Sequence, residues 1–267
     1  MSVAQAFLKR DFSNAISYRA GFAMQFLGIF LSVATFYFLS RLFGGVVVPQ
    51  LEAYGGNYFA FVLIGVAFSG YMGFSLSSFS QSIREGQVMG TLEIMLLSPT
   101  RLGTVLLSSS LWSCLLVTLR VIVYLLIGAL IFGVSFGEAN ILTALMVLVL
   151  SITSFGAIGI ISAAMVLLLK RGDPVAWIFG GLSGLLAGVL YPISVLPAWL
   201  RPLSRFLPLT YALDGMRLAL LKGYSFYQIR LDLLVLLAFT VVLTPLALFT
   251  FRQALRRAKM EGSLAQY

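Results

Sequence analysis

The sequence predicts an all-α chain that crosses a bilayer six times, and three observations predict it. Hydrophobic residues make up 60% of the 267 and charged residues only 10%, where a soluble domain carries about 25% charged residues. That much apolar surface cannot be hidden inside one water-soluble globule. The apolar residues also fall in continuous runs long enough for a ~30 Å hydrocarbon core, which takes ~20 residues of helix. They do not alternate with polar ones, so a β-barrel is excluded. Finally, Lys and Arg gather between the runs, as they do at the ends of membrane helices.

Residues 1–19 mix charge with apolar side chains: Val3, Phe7, Leu8 and Phe12 share one helical face, with Lys9, Arg10 and Asp11 elsewhere. This reads as an amphipathic helix lying on the membrane surface, in preference to a frayed charged tail. Six runs follow, at about 21–43, 58–79, 105–132, 141–169, 176–196 and 231–251. The first runs uncharged from Gly21 to Ser40, too long for the core of a secretory signal, and reads as a retained span. Breaks between runs fall at Gly, Pro or charge clusters. The chain reads as one transmembrane domain, 1–267.

With the N-terminus inside, eleven of the 18 Lys and Arg residues fall on the cytoplasmic side and six outside. The expected topology is therefore multi-pass in the cell (inner) membrane, with both termini cytoplasmic. The positive net charge, +9, is accounted for by this bias. No basic stripe on a soluble fold is left for nucleic acid, so no nucleic-acid partner is expected. The chain has no histidine and one cysteine, Cys114, which removes the commonest general base and any Cys/His metal constellation. The nine acids are scattered. A membrane-embedded acyl or glycosyl transferase would need His or paired carboxylates near one surface, and an ion-coupled carrier would place acids at the midplane. Metal sites, bound cofactors and catalytic residues are all expected to be absent.

Two segments between spans depart from plain connectors. Between the second and third, residues 82–101 open with polar and charged side chains. Thr91 then precedes a short helical pattern of Leu92, Met95 and Leu96, which Pro99 stops. This reads either as an amphipathic helix presenting a polar face to another protein or as a helix extension that turns the chain. Between the fifth and sixth, Pro192, Pro197, Pro202 and Pro208 forbid one straight helix, yet Trp199, Leu200, Phe206, Leu207 and Tyr211 stay apolar. Short broken helices dipping back into the outer leaflet satisfy both facts. They act either as an outer gate on the exit path, with Tyr191, Pro192, Pro197, Trp199, Pro208, Tyr211 and Asp214 as its residues, or as a rigid lid.

Two features inside the spans stand out. Gly180, Gly184 and Gly188 recur every four residues in the fifth run, a spacing that lets a helix approach closely. The approaching helix belongs either to a second protomer or to a neighbouring span; Gly156 and Gly159 in the fourth run read as internal packing. Arg120 is a charge inside the third run, placed by a count from Val105 in the outer half of the membrane. It reads either as a structural pair with Glu138, Asp214 or Asp232, or as a contact for an anionic head group.

Glu85-Gly86, Gly90-Thr91-Leu92-Glu93 and Leu97-Ser98-Pro99 together resemble the characteristic loop of the type-two ABC exporter permeases. The Pro-rich stretch Tyr191–Asp214 with Gly215-Met216-Arg217 resembles that family's external signature. Both occur in the family's order, and the resemblance covers nearly the whole chain. It implies a permease that pairs with a second protomer, homo- or heterodimeric, and binds two cytoplasmic ABC ATPase subunits. The loop with Arg84, Glu85, Gly86, Gly90, Thr91, Leu92, Glu93 and Pro99 would then be the coupling helix received by the ATPase. The chain has no Gly-x4-Gly-Lys-Ser/Thr phosphate loop, so ATP and Mg are expected on the partner chain. The passenger expected is a hydrophobic, drug-like or lipid-linked molecule leaving the cytoplasm or inner leaflet, with membrane lipid as a further partner. A permease dedicated to lipid-linked polysaccharide and a membrane-embedded transferase are the alternatives.

Overall fold

The computed structural model describes residues 19–42, 49–88, 102–169 and 172–260, and these are all-helical. In order they form α1 (Arg19–Arg41), a 3-10 turn (Pro49–Tyr54), α2 (Tyr58–Val88), α3 (Leu102–Leu130), α4 (Ile141–Leu169), α5 (Pro174–Leu186), a second 3-10 turn (Ile193–Val195), α6 (Arg201–Ser204), α7 (Pro208–Leu221) and α8 (Arg230–Met260). The interfacial helix expected over 1–19 lies outside the described residues, apart from Arg19.

Five of these helices, α1, α2, α3, α4 and α8, are long and apolar enough to cross a membrane. α2 is the centre of the bundle, with 67% of its apolar window buried, against 11% for α1 and α8 and 17% for α3. The outer helices turn apolar side chains such as Leu31, Leu115, Leu126, Val149 and Val241 outward. That is a cost in water and a match to hydrocarbon.

Side-chain pairings give the directions. Tyr71 on α2 donates to Thr118 on α3 at 2.9 Å, and Leu63 packs where a Cβ on Gly128 would point, so α2 and α3 are antiparallel. α2, α4 and α8 run parallel to one another: Phe79 and Ile83 meet Ala163, Leu167, Phe251 and Ala254 at one end. Nearer the middle, Ser154 on α4 meets Leu236 and Thr240 on α8 at 3.2 and 2.8 Å. Such hydroxyl bridges join helices that lipid would otherwise solvate equally well. At the opposite end, Tyr37 of α1 meets Phe59 edge-on and Phe132 at a tilt, with ring centroids 5.4 and 4.5 Å away.

The fifth run differs most from expectation. It does not form a full span: α5 has 13 residues, about 20 Å of helix at 1.5 Å per residue, and so falls short of a ~30 Å core. Its start is set by Asp173, whose carboxylate accepts from the Ala176 amide, and by Pro174 in the first turn. Its end is set by Gly188 at φ +78, a left-handed turn that a glycine adopts without penalty. Pro192 and Pro197 then keep the chain from resuming a helix. Asp173 is hydrogen-bonded to Ser162 of α4, while Val189 lies against Gly65 of α2. The chain thus climbs the bundle by a short helix and then by irregular backbone, rather than by one continuous span.

Two helices, α6 and α7, follow the fifth run. α7 is no loose cap, however. Leu209, Leu213, Met216 and Ala219 are buried in the main core with α2 and α4.

Candidate functional site

Between α1, α2 and α3 lies a cleft of about 680 Å³. Its polar side comes from Gln25 on α1, Ser69, Ser77 and Gln81 on α2, and Ser113 and Arg120 on α3. Ser69, Ser77 and Gln81 reach one face because intervals of eight and four residues return to the same side of a helix. The apolar side includes Ile29, Val66 and Phe74. Gly28 and Gly70 widen the cleft, since a Cβ on either would meet nothing within 4 Å.

Arg120 is the charge at its centre. The Tyr71–Thr118 and Leu63–Gly128 pairings put Arg120 level with Ser69, in the half of α2 nearer Tyr58. Its expected partner, however, is corrected. Instead of Glu138, Asp214 or Asp232, the guanidinium meets Gln25, whose amide oxygen accepts from it when turned toward it. Among the described residues, none that lines the cleft is acidic.

A second polar assembly lies toward the opposite end, where Arg217 of α7 is 3% exposed. Its Nε donates to the Phe61 carbonyl at 3.1 Å and its Nη2 to the Val189 carbonyl at 3.0 Å. The guanidinium carbon stands 3.4 Å over the Phe61 ring centroid, a cation–π contact. One residue thereby ties α2, the irregular segment after α5, and α7 together. Gly65 makes room for it: a Cβ there would collide with the Val189 carbonyl and lie 2.6 Å from the Arg217 Nη2. Beside it, the Tyr54 hydroxyl donates to the Asp214 carboxylate. Burial, above all, lifts the Asp214 carboxyl above the usual carboxylate range, against the opposing pull of Tyr54 and Arg217. Burial also raises the Tyr54 hydroxyl and lowers the Arg217 guanidinium.

The structure divides the residues expected to form the outer gate. Pro192 and Pro208 are buried, Tyr191 and Asp214 partly so, and Tyr211 packs near Phe239 at 6.2 Å. Pro197 and Trp199 are exposed. The glycine series also divides. At Gly180 and Gly184 a Cβ meets nothing within 4 Å, whereas Gly188 lies past the end of α5 in its left-handed turn. The three therefore form no single helical stripe. Gly159 does pack internally, with its Cβ position on the Ser75 carbonyl; at Gly156 a Cβ meets nothing within 4 Å.

Arg84 is exposed on α2, and Glu85 and Gly86 fall in that helix's last turn before Val88. Gly90, Thr91, Leu92, Glu93 and Pro99 lie outside the described residues. Among the described residues no cluster of His, Cys, Asp or Glu could hold a metal ion. Sequence reasoning missed Gln25, Tyr54 and Gly65, and counted Arg217 as an external positive charge. Polar residues at helical spacing in α2 were a readable signal for the cleft; Arg217 carried no such signal.

Comparison with curated proteins returns no match. Residues 46–249 match the family model described as ABC-2 family transporter protein. That stretch takes in α2 through most of α8, including the cleft's α2 and α3 walls and the whole Arg217 assembly. With well over half of its length covered by that model, this helical, membrane-type chain belongs to the ABC-2 transporter family.

Proposed function

We propose that the chain is the transmembrane permease subunit of an ATP-driven exporter. It moves a hydrophobic, drug-like or lipid-linked substrate out of the cytoplasm or inner leaflet, and a separate ATPase chain supplies the energy. The observation that carries this reading is a polar cleft within a bundle of lipid-compatible helices, in a chain of the ABC-2 family. The excess of Lys and Arg on one side of the sequence supports cytoplasmic termini in the cell membrane. The segment from Arg84 to Pro99 follows α2 on that same side, and it is our coupling element for two ATPase subunits. The test is co-expression with a phosphate-loop ATPase, followed by reconstitution of the pair in vesicles. ATP-dependent movement of a fluorescent lipid analogue is the expected result. Deleting Thr91–Leu97 is expected to abolish both co-purification and transport while membrane insertion persists. A deletion that left ATP-driven transport intact would overturn the coupling assignment.

A second copy, or a related protomer, completes the permease in this reading. α5 supports it by turning Trp177, Ile178 and Leu185 outward beside the open positions Gly180 and Gly184. Gly184→Leu therefore leaves the single chain's fold undisturbed and blocks close approach of another helix. The dimer fraction, measured by cross-linking in membranes, is expected to fall severalfold. An unchanged fraction would place the protomer contact elsewhere.

A further inference from the structure

We propose that the cleft between α1, α2 and α3 binds the anionic head group of a single-tailed or lipid-like amphiphile, with Arg120 and Gln25 as its clamp. The proposal rests on the exporter reading for its role in transport, but not for binding itself.

Charge comes first. Arg120 sits within an apolar, membrane-type helix, where an ionised side chain is expensive and normally has a counter-charge. Gln25 offers it a neutral amide oxygen, which satisfies some N–H groups and neutralises nothing. Among the described residues, those lining the cleft include no Asp or Glu, so a bound anion is the natural complement. A guanidinium presents five N–H donors in a planar fork that fits two oxygens of a phosphate or carboxylate. Arg120 is exposed within the cleft, so the N–H groups that Gln25 does not take are open to a ligand.

Size and polarity come next. At about 680 Å³, the space falls within the ~300–1,000 Å³ of small-molecule sites. Below the guanidinium, Ser113, Ser77 and Gln81 extend the polar wall along α2 and α3, while Ile29, Val66 and Phe74 line the other side. A ligand with one charged end and an apolar body meets both surfaces. A zwitterion would place its ammonium where the lining offers no carboxylate. A small inorganic anion would satisfy Arg120 but leave the apolar wall without a partner.

The experiment is a binding titration of the full purified chain in an uncharged maltoside detergent, with dodecyl phosphate as probe and native mass spectrometry as readout. Dodecylphosphocholine and inorganic phosphate are the comparison ligands. Dodecyl phosphate is expected to bind saturably and at least about tenfold more tightly than either. Arg120→Gln is expected to weaken it about tenfold or more, and Arg120→Lys to recover part of the loss. Gly70→Leu fills the cleft at a position with free space; it should abolish binding without unfolding the chain, so the proposal stays testable if Arg120→Gln fails to fold. Arg120→Gln and Gly70→Leu both binding dodecyl phosphate like the wild type would overturn the site. Inorganic phosphate competing as strongly as dodecyl phosphate would overturn the amphiphile and leave a plain anion site. Arg120-dependent binding in a chain that no ATPase drives would keep the site and refute the exporter reading alone.

Discussion

Arg217→Leu is expected to destabilise the protein by about 3–5 kcal/mol, the range for removing one member of a buried, hydrogen-bonded charge cluster. The substitution keeps apolar bulk but leaves the Val189 carbonyl, in irregular backbone, without its donor. An unpaired carbonyl at that depth cannot turn to water. It also leaves the buried Asp214 carboxylate without a favourable positive neighbour. Arg217→Lys keeps the charge but cannot fork between the Phe61 and Val189 carbonyls, so an intermediate loss is expected. Gly65→Ala should reproduce much of the effect with no change of charge, because its Cβ would collide with the Val189 carbonyl and crowd the guanidinium bound to it. Tyr54→Phe removes one hydroxyl from Asp214 and should cost about 1 kcal/mol. Thermal unfolding in detergent, ranked across the four variants, is the measurement. If Arg217→Leu unfolds within about 0.5 kcal/mol of the wild type, in the band of ordinary surface changes, the assembly does not hold the segment after α5 in place.

Gly159→Ala should be the second large effect. α4 crosses α2 so closely at this residue that a single added methyl would overlap the Ser75 carbonyl and press on Phe79, 3.1 Å away. Backbone cannot yield as a flexible side chain can, so the helices must separate. Overpacking of this kind costs about 1–3 kcal/mol, and Gly159→Leu should prevent folding. The control lies on the same helix. At Gly156 a Cβ meets nothing within 4 Å, so Gly156→Ala gains helix propensity, about 0.5–1 kcal/mol. Opposite shifts in unfolding temperature for two identical substitutions three residues apart would establish the crossing point. Equal shifts would refute it.

Much of the fold was legible because hydrocarbon imposes simple rules. The fourth run, 141–169, coincides with α4, and the first, third and sixth agree with α1, α3 and α8 in position. Where the ends differ, helices continue past the apolar window: α2 runs to Val88 and α8 to Met260. Hydropathy measures the solvent, whereas a helix ends where its backbone bonds end. The fifth run shows the converse. Its composition suited a span, but Gly188, Pro192 and Pro197 stop the helix at Leu186. Those breakers are visible in the sequence, but the length of an apolar run does not register them.

The sites were less legible. Arg120 was marked by being a charge within an apolar run, and that alone was enough to single it out. Its partner was not, because that depends on how α1 registers against α3. Arg217 is the sharper case. Among the external-side basic residues nothing separates it from Arg201 or Arg205, yet those two are exposed and Arg217 is buried. Only the folding of α7 into the core between α2 and α4 turns it inward.

What the sequence by itself determined is therefore the solvent and the class. Continuous apolar runs, few charges, and the two motif segments at 85–99 and 191–217 define a helical membrane chain of a transporter family, because each is a local property that needs no partner in space. What only the tertiary structure decided is which residues share a space. Gln25 with Arg120, Gly65 with Arg217, and Gly159 with Ser75 come from different helices, far apart in the chain. Their meeting is set by helix register and depth, and in a bilayer, which accepts any apolar face equally, close packing and buried hydrogen bonds are what select that register.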